Sequence, residues 1–219
     1  KISKDDFSNK TFKFGYGKFI TINSKKVWAQ RLSYVGELGF ELYIENKDAK
    51  EIYQLIVEEG KNHNLSHCGS HAMDTMRMES GFLHWGHDIS PEENQYQAGL
   101  TFAISYKKEV NFIGKESLLK VKEKKHDRRF IMLSLLDSKP GSPLLLHEEP
   151  IYLKDKIIGR TTSGNYSFNF KKNLSFGYVT SNHTNEELSK MDLYIEVAKQ
   201  KYPAKVEITP LKDKSSRFL

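Results

Sequence analysis

Lys26-Val-Trp-Ala-Gln-Arg-Leu-Ser-Tyr34 alternates, with Val27, Ala29 and Arg31 to one side and Trp28, Gln30 and Leu32 to the other. Successive side chains of an extended chain project to opposite faces, so this period of two predicts a strand. Upstream, Phe19-Ile-Thr-Ile22 gives a second strand, and Asn23-Ser-Lys25 reads as the turn between them. Downstream, Phe40-Glu-Leu-Tyr-Ile44 gives a third. Asp48 with Glu51 three residues on reads as a capping box opening a helix. Its buried stripe is Ile52, Leu55 and Ile56, and Gly60 stops it. A second helix is expected from Ser70 to Gly81 and a short third from Gly114 to Lys122.

Beyond the charged run Lys120-Val-Lys-Glu-Lys-Lys-His-Asp-Arg-Arg129 the texture changes. Short alternating segments follow one another at Phe130 to Ser134, Pro150 to Leu153, Ile157 to Thr162, Leu174 to Val179, Leu193 to Ala198 and Tyr202 to Thr209. Strands at this spacing, with turns between, predict a small barrel or sandwich. The alternation of Tyr166, Phe168 and Phe170 reads as filling for its interior. The expected fold class is therefore α+β, an antiparallel sheet with helices followed by a small C-terminal β-barrel domain. The domain division expected is 1–123 and 124–219, with the charged run as a solvated linker.

Composition narrows the function classes. The 219 residues carry a net charge of +6, supplied almost wholly by lysine, with six arginines and with acids interspersed. Phosphate-backbone recognition leans on planar arginine forks, so no nucleic-acid partner is expected. No apolar run approaches the roughly 20 residues of a spanning helix, so no membrane partner is expected. The single cysteine, Cys68, leaves no internal disulfide and no redox pair. With no leader pattern at the N-terminus, the expected compartment is cytoplasmic, or the mitochondrial matrix in a eukaryote. His67-Cys-Gly-Ser-His71 and His84-Trp-Gly-His-Asp88 cluster metal-capable side chains, but neither spacing is a standard ligand pattern, so no metal is expected. The second cluster reads instead as a tight turn, with Trp85 packed in the core and Asp88 bonding backbone.

Three runs carry a family resemblance: Tyr34-Val-Gly-Glu-Leu-Gly-Phe-Glu-Leu-Tyr43, Asp74-Thr-Met-Arg-Met-Glu-Ser-Gly-Phe-Leu-His-Trp-Gly-His-Asp-Ile89 and Asn111-Phe-Ile-Gly-Lys-Glu116. In this order they resemble the glycine cleavage T-protein (aminomethyltransferase) and, more closely, the C-terminal part of dimethylglycine and sarcosine dehydrogenases. Ile158-Gly-Arg-Thr-Thr-Ser-Gly-Asn-Tyr-Ser167 and Leu174-Ser-Phe-Gly-Tyr-Val179 resemble that family's C-terminal β domain. The resemblance spans nearly the whole chain and implies tetrahydrofolate as cofactor, with Glu41, Glu37, Arg77 and Tyr34 as the binding residues. Glu41 is the position implied for the pterin. The pterin edge presents an amino group and a ring N–H side by side, which one carboxylate accepts through two parallel hydrogen bonds.

The sequence also departs from the family pattern. Met73 stands where the T-protein places an arginine beside folate, and Gln95 and Gln97 stand where relatives show Pro and Glu. The second change is expected to free the loop and remove a charged acceptor. No residue is assignable as the proton-handling acid, so the catalytic residues are unknown. No Gly-x-Gly-x-x-Gly follows a strand, so no FAD site is expected in this chain. The expectation is a folate-binding portion that works with a missing N-terminal half of the folate domain or with a flavin oxidoreductase domain. One alternative is a non-catalytic regulatory or interaction module of the same descent, and another is a tetrahydrofolate-dependent demethylase.

Overall fold

The computed structural model describes residues 2–124 and 126–215; Lys1, Lys125 of the charged run and residues 216–219 lie outside the described residues. The chain divides into two compact units, Lys1–Ser80 with Lys212–Leu219, and Gly81–Leu211.

The first unit is built on an antiparallel sheet in the order β1 (Gly17–Ile22), β2 (Lys25–Gln30), β3 (Glu41–Tyr43). Asn23 and Ser24 both have positive φ, 45° and 67°, so the β1–β2 connection is a two-residue turn whose twist matches the strands. Ile20, Ile22, Val27 and Ala29 point inward and pack with Phe12 and Ile52 into one apolar cluster. Helix α1 (Asn46–Gly60) supplies Ile52 to that cluster. The expected capping box does not form: the helix begins two residues before Asp48, and the residue preceding it, Glu45, makes no side-chain cap. Asp48 and Glu51 instead reach sideways to the hairpin, Asp48 to Lys25 at 3.0 Å and Glu51 to the Asn23 amide at 2.8 Å. After a single 3-10 turn the chain ends its helical path at Asn64, in left-handed backbone, where the Leu65 N–H returns to the Gly60 carbonyl. Leu65 occupies the space beside Gly60 that a Cβ would need. Helix α2 (Ser70–Glu79) completes the unit.

The second unit carries α3 (Lys115–Lys122) and a closed antiparallel barrel. Its strands are β4 (Arg128–Leu135), β5 (Pro150–Leu153), β6 (Lys156–Ser167), β7 (Lys172–Thr180), β8 (Leu193–Val197) and β9 (Gln200–Glu207), in the spatial order β4-β7-β6-β5-β8-β9. Closure leaves no sheet edge open. The apolar core gathers Ile131, Leu133, Leu135, Ile151, Val179, Leu193, Ile195 and Val206. Glycine is required where β6 and β7 press together. A Cβ on Gly159 would lie 1.9 Å from the Tyr178 carbonyl oxygen, and one on Gly177 2.5 Å from that of Arg160.

The aromatic alternation proves not to be barrel filling. β6 ends at Ser167, so the period of two stops there, and Phe168 sits in the following turn at 73% exposure, edge-on to Tyr166. A short helix, α4 (Asn185–Leu188), is opened by a Thr184–Glu187 capping box that the sequence displays but the strand pattern obscured. The charged run is also less solvated than expected. Arg128 pairs with Glu93 at 2.9 Å and lies 4.1 Å from the Tyr178 ring centroid, while Arg129 bonds Asn185 and the Ser181 carbonyl.

Candidate functional site

Because the inward faces of β1, β2 and β3 are spent on the core, their outward faces form a second surface. The register aligns it in rows: Gly17, Gln30 and Glu41; then Phe19, Trp28 and Tyr43; then Thr21 and Lys26. Phe19 is 56% and Tyr43 55% exposed, and Glu41 and Lys26 are also exposed. Phe19 meets the half-buried Trp28 edge-on at 5.1 Å. The indole leans over Gly17, where a Cβ would be 2.3 Å from its ring. The Lys26 ammonium sits 3.9 Å from the Phe19 ring centroid.

Glu41 opens β3, and its Oε2 accepts from the Tyr43 hydroxyl at 2.7 Å. That bond, and the negative charge behind it, push the Tyr43 phenol above its ordinary pKa and keep it a donor. An ionised carboxylate has about four acceptor sites, so the tyrosine fixes the Glu41 side chain while leaving acceptors for a ligand with paired N–H donors.

The other residues implied by the resemblance have partners of their own. Tyr34 is half-buried at the start of the turn that carries Glu37. Gly36 in that turn has a φ of 69°, and the Ser80 hydroxyl occupies the place of its missing Cβ while donating to the Val35 carbonyl at 3.1 Å. Glu37 is ion-paired with Lys212, whose own backbone N–H bonds the Glu79 carbonyl. Arg77 is 1% exposed and holds Asp74 through both Nε, at 2.8 Å, and a terminal nitrogen, at 2.7 Å. Met73 is 41% exposed. The aromatic row beside Glu41 was missed as a site, although the alternation that predicts the strands already puts Trp28 with Gln30 and Tyr43 with Glu41.

In the second unit the His84–Asp88 turn differs from expectation at Trp85, which is 65% exposed rather than packed in the core. The turn is held by polar bonds. Asp88, 1% exposed, accepts from the His84 N–H at 2.9 Å, from the Thr162 hydroxyl and from the Ser163 hydroxyl at 2.8 Å. Two adjacent β-strand residues normally point apart. The register shift between Thr161 and Ser163 is a bulge that lets both hydroxyls reach one carboxylate. Among the described residues no group of His, Cys, Asp and Glu is arranged to hold a metal ion.

The fold and this face define a class: a two-unit α+β protein in which a small sheet with an open acidic and aromatic face precedes a closed six-stranded barrel. Residues 1–108 match the GCVT N-terminal domain, and residues 128–213 match the glycine cleavage T-protein C-terminal barrel domain. The chain belongs to the glycine cleavage T-protein family. It is 35% identical over 215 residues to mitochondrial dimethylglycine dehydrogenase of Rattus norvegicus, covering 96% of this chain and 24% of that protein. To an aminomethyltransferase of Listeria welshimeri it is 33% identical over 210 residues, covering 96% and 55% respectively. The structure of glycine cleavage system aminomethyltransferase T from Bartonella henselae superimposes with a TM-score of 0.77 at 21% identity, over 94% of this chain and 54% of that one. The chain thus spans about a quarter of the dehydrogenase and about half of the aminomethyltransferases.

Proposed function

We propose that this chain is the folate-binding portion of a one-carbon transfer protein, with the pterin held at Glu41. The observation that carries the reading is the exposed Glu41 carboxylate, fixed by Tyr43 and set beside a row of exposed aromatic rings. The residues present fit a folate chemically: a carboxylate for the paired N–H edge, with aromatic side chains beside it for the rings. Tetrahydrofolate, when bound, supplies the nitrogen that takes up a one-carbon unit from an N-methyl amine or a glycine-derived donor. Glu41 orients that ligand through its amino-pyrimidine edge. Glu37, Tyr34 and Arg77 act behind it: the Tyr34–Glu37 turn, anchored by Ser80 and Lys212, holds the chain that leads into β3, and buried Arg77 pairs with Asp74 within α2. No group in this chain is assigned to proton handling. A working assembly therefore draws on a further part, the other half of a folate domain or a flavin oxidoreductase domain, located in the cytoplasm or, as the names of several relatives suggest, the mitochondrion.

The test is calorimetric titration of the chain with 5-formyltetrahydrofolate beside Glu41→Gln. Hydrogen bonds to a charged group contribute about 1.5–3 kcal/mol each, so breaking the pair should weaken binding at least about tenfold. Equal affinity in the two proteins would remove Glu41 from the site, and absence of binding both to the chain and to its assembly with the further part would remove the reading. Met73, exposed at the place of a folate-side arginine, favours a second reading, a non-catalytic interaction module. Formation of methylenetetrahydrofolate by the intact assembly would refute that one.

A further inference from the structure

Among the described residues, none of helix α2 belongs to the apolar cluster around β1 to β3, which draws on Phe12, Ile52 and the inward strand residues. The buried side chains of α2 are Thr75, Arg77, Met78 and Glu79, three of them polar. A helix takes most of its stability from packing an apolar stripe, so one that brings so little to the core depends on other ties for its place.

Lys212, which belongs to the first unit, supplies such a tie. Its N–H donates to the Glu79 carbonyl at 2.9 Å, at the C-terminal end of α2. Its ammonium crosses to the Tyr34–Glu37 turn, where it pairs with the Glu37 carboxylate and donates to the Val35 carbonyl at 3.4 Å. Ser80, the residue after α2, donates to the same Val35 carbonyl at 3.1 Å. The lysine stem passes Gly36, where a Cβ would lie 3.8 Å from the Lys212 Cδ. One residue therefore grips the helix end through its main chain and the turn through its side chain. This differs from the solvated pairs nearby. Lys25, Lys47 and Lys61 keep side-chain exposures of 37%, 73% and 65% in their ion pairs, whereas Lys212 keeps 12%. Exposed pairs contribute little, but an ammonium withdrawn from water and bonded on two sides is costly to lose.

We infer that Lys212 is a positioning residue: it clasps α2 to the turn that feeds β3, and so holds the helix of Met73 and Arg77 in fixed relation to the strand of Glu41. For its effect on a ligand the clasp rests on the folate reading above; as a tie between two elements it stands on the contacts just given. Coupling is reciprocal, so a ligand whose binding depends on the clasp also tightens it.

The experiment follows amide hydrogen exchange in the whole chain, as unaltered protein, Lys212→Met and Lys212→Arg, and titrates each with 5-formyltetrahydrofolate. Methionine keeps the apolar stem and the main-chain bond but removes the ammonium, while arginine restores a cationic donor to Glu37. In Lys212→Met the amides of residues 74–80 and 35–38 should exchange about tenfold faster, as expected when a charged hydrogen bond no longer resists local opening. Those of β2, central in the sheet, should keep their rates. Lys212→Arg should return the faster amides to within about twofold of the unaltered protein. Folate affinity should fall about three- to tenfold in Lys212→Met and recover in Lys212→Arg, and bound folate should slow exchange at the Lys212 N–H. Unchanged exchange in α2 and the turn of Lys212→Met would overturn the inference. So would faster exchange that extends equally to β2, because Lys212 would then support the whole unit and position nothing. If the helix and turn respond while folate affinity does not, the positioning role is wrong and the folate site stands. If they respond while neither the chain nor its assembly with the further part binds folate, the folate reading falls and the clasp stands.

Discussion

Asp88→Ala is the sharpest test of how the second unit is held together. Asp88 is 1% exposed and accepts from one backbone N–H and two hydroxyls. Truncation strands these three donors. A buried donor left without an acceptor costs about 1–3 kcal/mol, so full confinement would give a loss of about 3–9 kcal/mol. The Thr162 and Ser163 hydroxyls can rotate toward other acceptors, while the His84 N–H cannot. The lower part of that range, about 3–5 kcal/mol, is therefore expected. Asp88→Asn keeps one oxygen but turns an N–H toward a donor, so about half that loss should follow. The assay is urea unfolding, in a Trp28→Phe background for all variants, read by far-ultraviolet circular dichroism, which reports the barrel, and by the remaining Trp85 fluorescence, which reports the turn. A shift in the midpoint at constant slope measures the stability change. A cost below about 1 kcal/mol for Asp88→Ala by both probes would refute the reasoning. A Thr162→Val and Asp88→Ala cycle should show coupling, because the two residues share one bond.

Three further outcomes are expected. Gly159→Ala should cost at least about 3 kcal/mol or prevent the barrel from closing, because the new Cβ would meet backbone at 1.9 Å; native-like stability in a melt would contradict this. Tyr178→Phe should be neutral or stabilising by about 1 kcal/mol, since the buried Tyr178 hydroxyl finds no partner among the described residues and burial holds its pKa above the ordinary phenol value; a clear loss on unfolding would overturn it. For Glu93, burial pushes the carboxyl pKa up, but the Ser90 hydroxyl and N–H and the Arg128 guanidinium outweigh it and leave the pKa below the usual range. A depressed folded pKa gives stability that is complete above the unfolded value near 4.3 and is lost as pH falls through the folded one. Glu93→Gln should therefore flatten the stability curve below about pH 4.3, and an unchanged acid limb would show that the pair contributes nothing.

How far the fold was legible depended on whether the deciding interactions were local. The strands β1 to β3 and those of the barrel were visible because alternation is a property of neighbours in sequence, and the turn at Asn23-Ser24 because those residues tolerate positive φ. The Asp48–Glu51 box was misread because its spacing fits a cap, while the actual partners, Lys25 and Asn23, come from the hairpin beside it. Trp85 was misplaced for a related reason. An indole is usually assigned to a core, but the bonds of Asp88 to residues 74 and 75 positions away fix this turn without it. At the candidate site the order is reversed: Glu41 came from the resemblance, whereas the aromatic row and Lys26 follow from period and register alone.

The replacement of acid by amide at Gln97 shows how a departure from family pattern can leave geometry in place. The Asn94 side-chain oxygen accepts from the N–H groups of Tyr96 and Gln97, each at 3.0 Å, and the Gln97 side-chain oxygen accepts in return from the Asn94 N–H at 3.1 Å. This is the reciprocal bonding of a capping box, for which Gln serves as well as Glu because only one acceptor oxygen is needed. The backbone carbonyl of Gln97 takes the Phe130 N–H at 2.7 Å and ties the loop to β4. A loop expected to be freed by its substitutions is therefore closed on itself and fastened to the barrel. What the missing acid does remove is a negative charge, while Glu93 remains only a few residues away to neutralise Arg128. Among the described residues of this loop Glu93 is the carboxylate that pairs with Arg128, so the acid limb at Glu93 reports this tie between the loop and β4 directly.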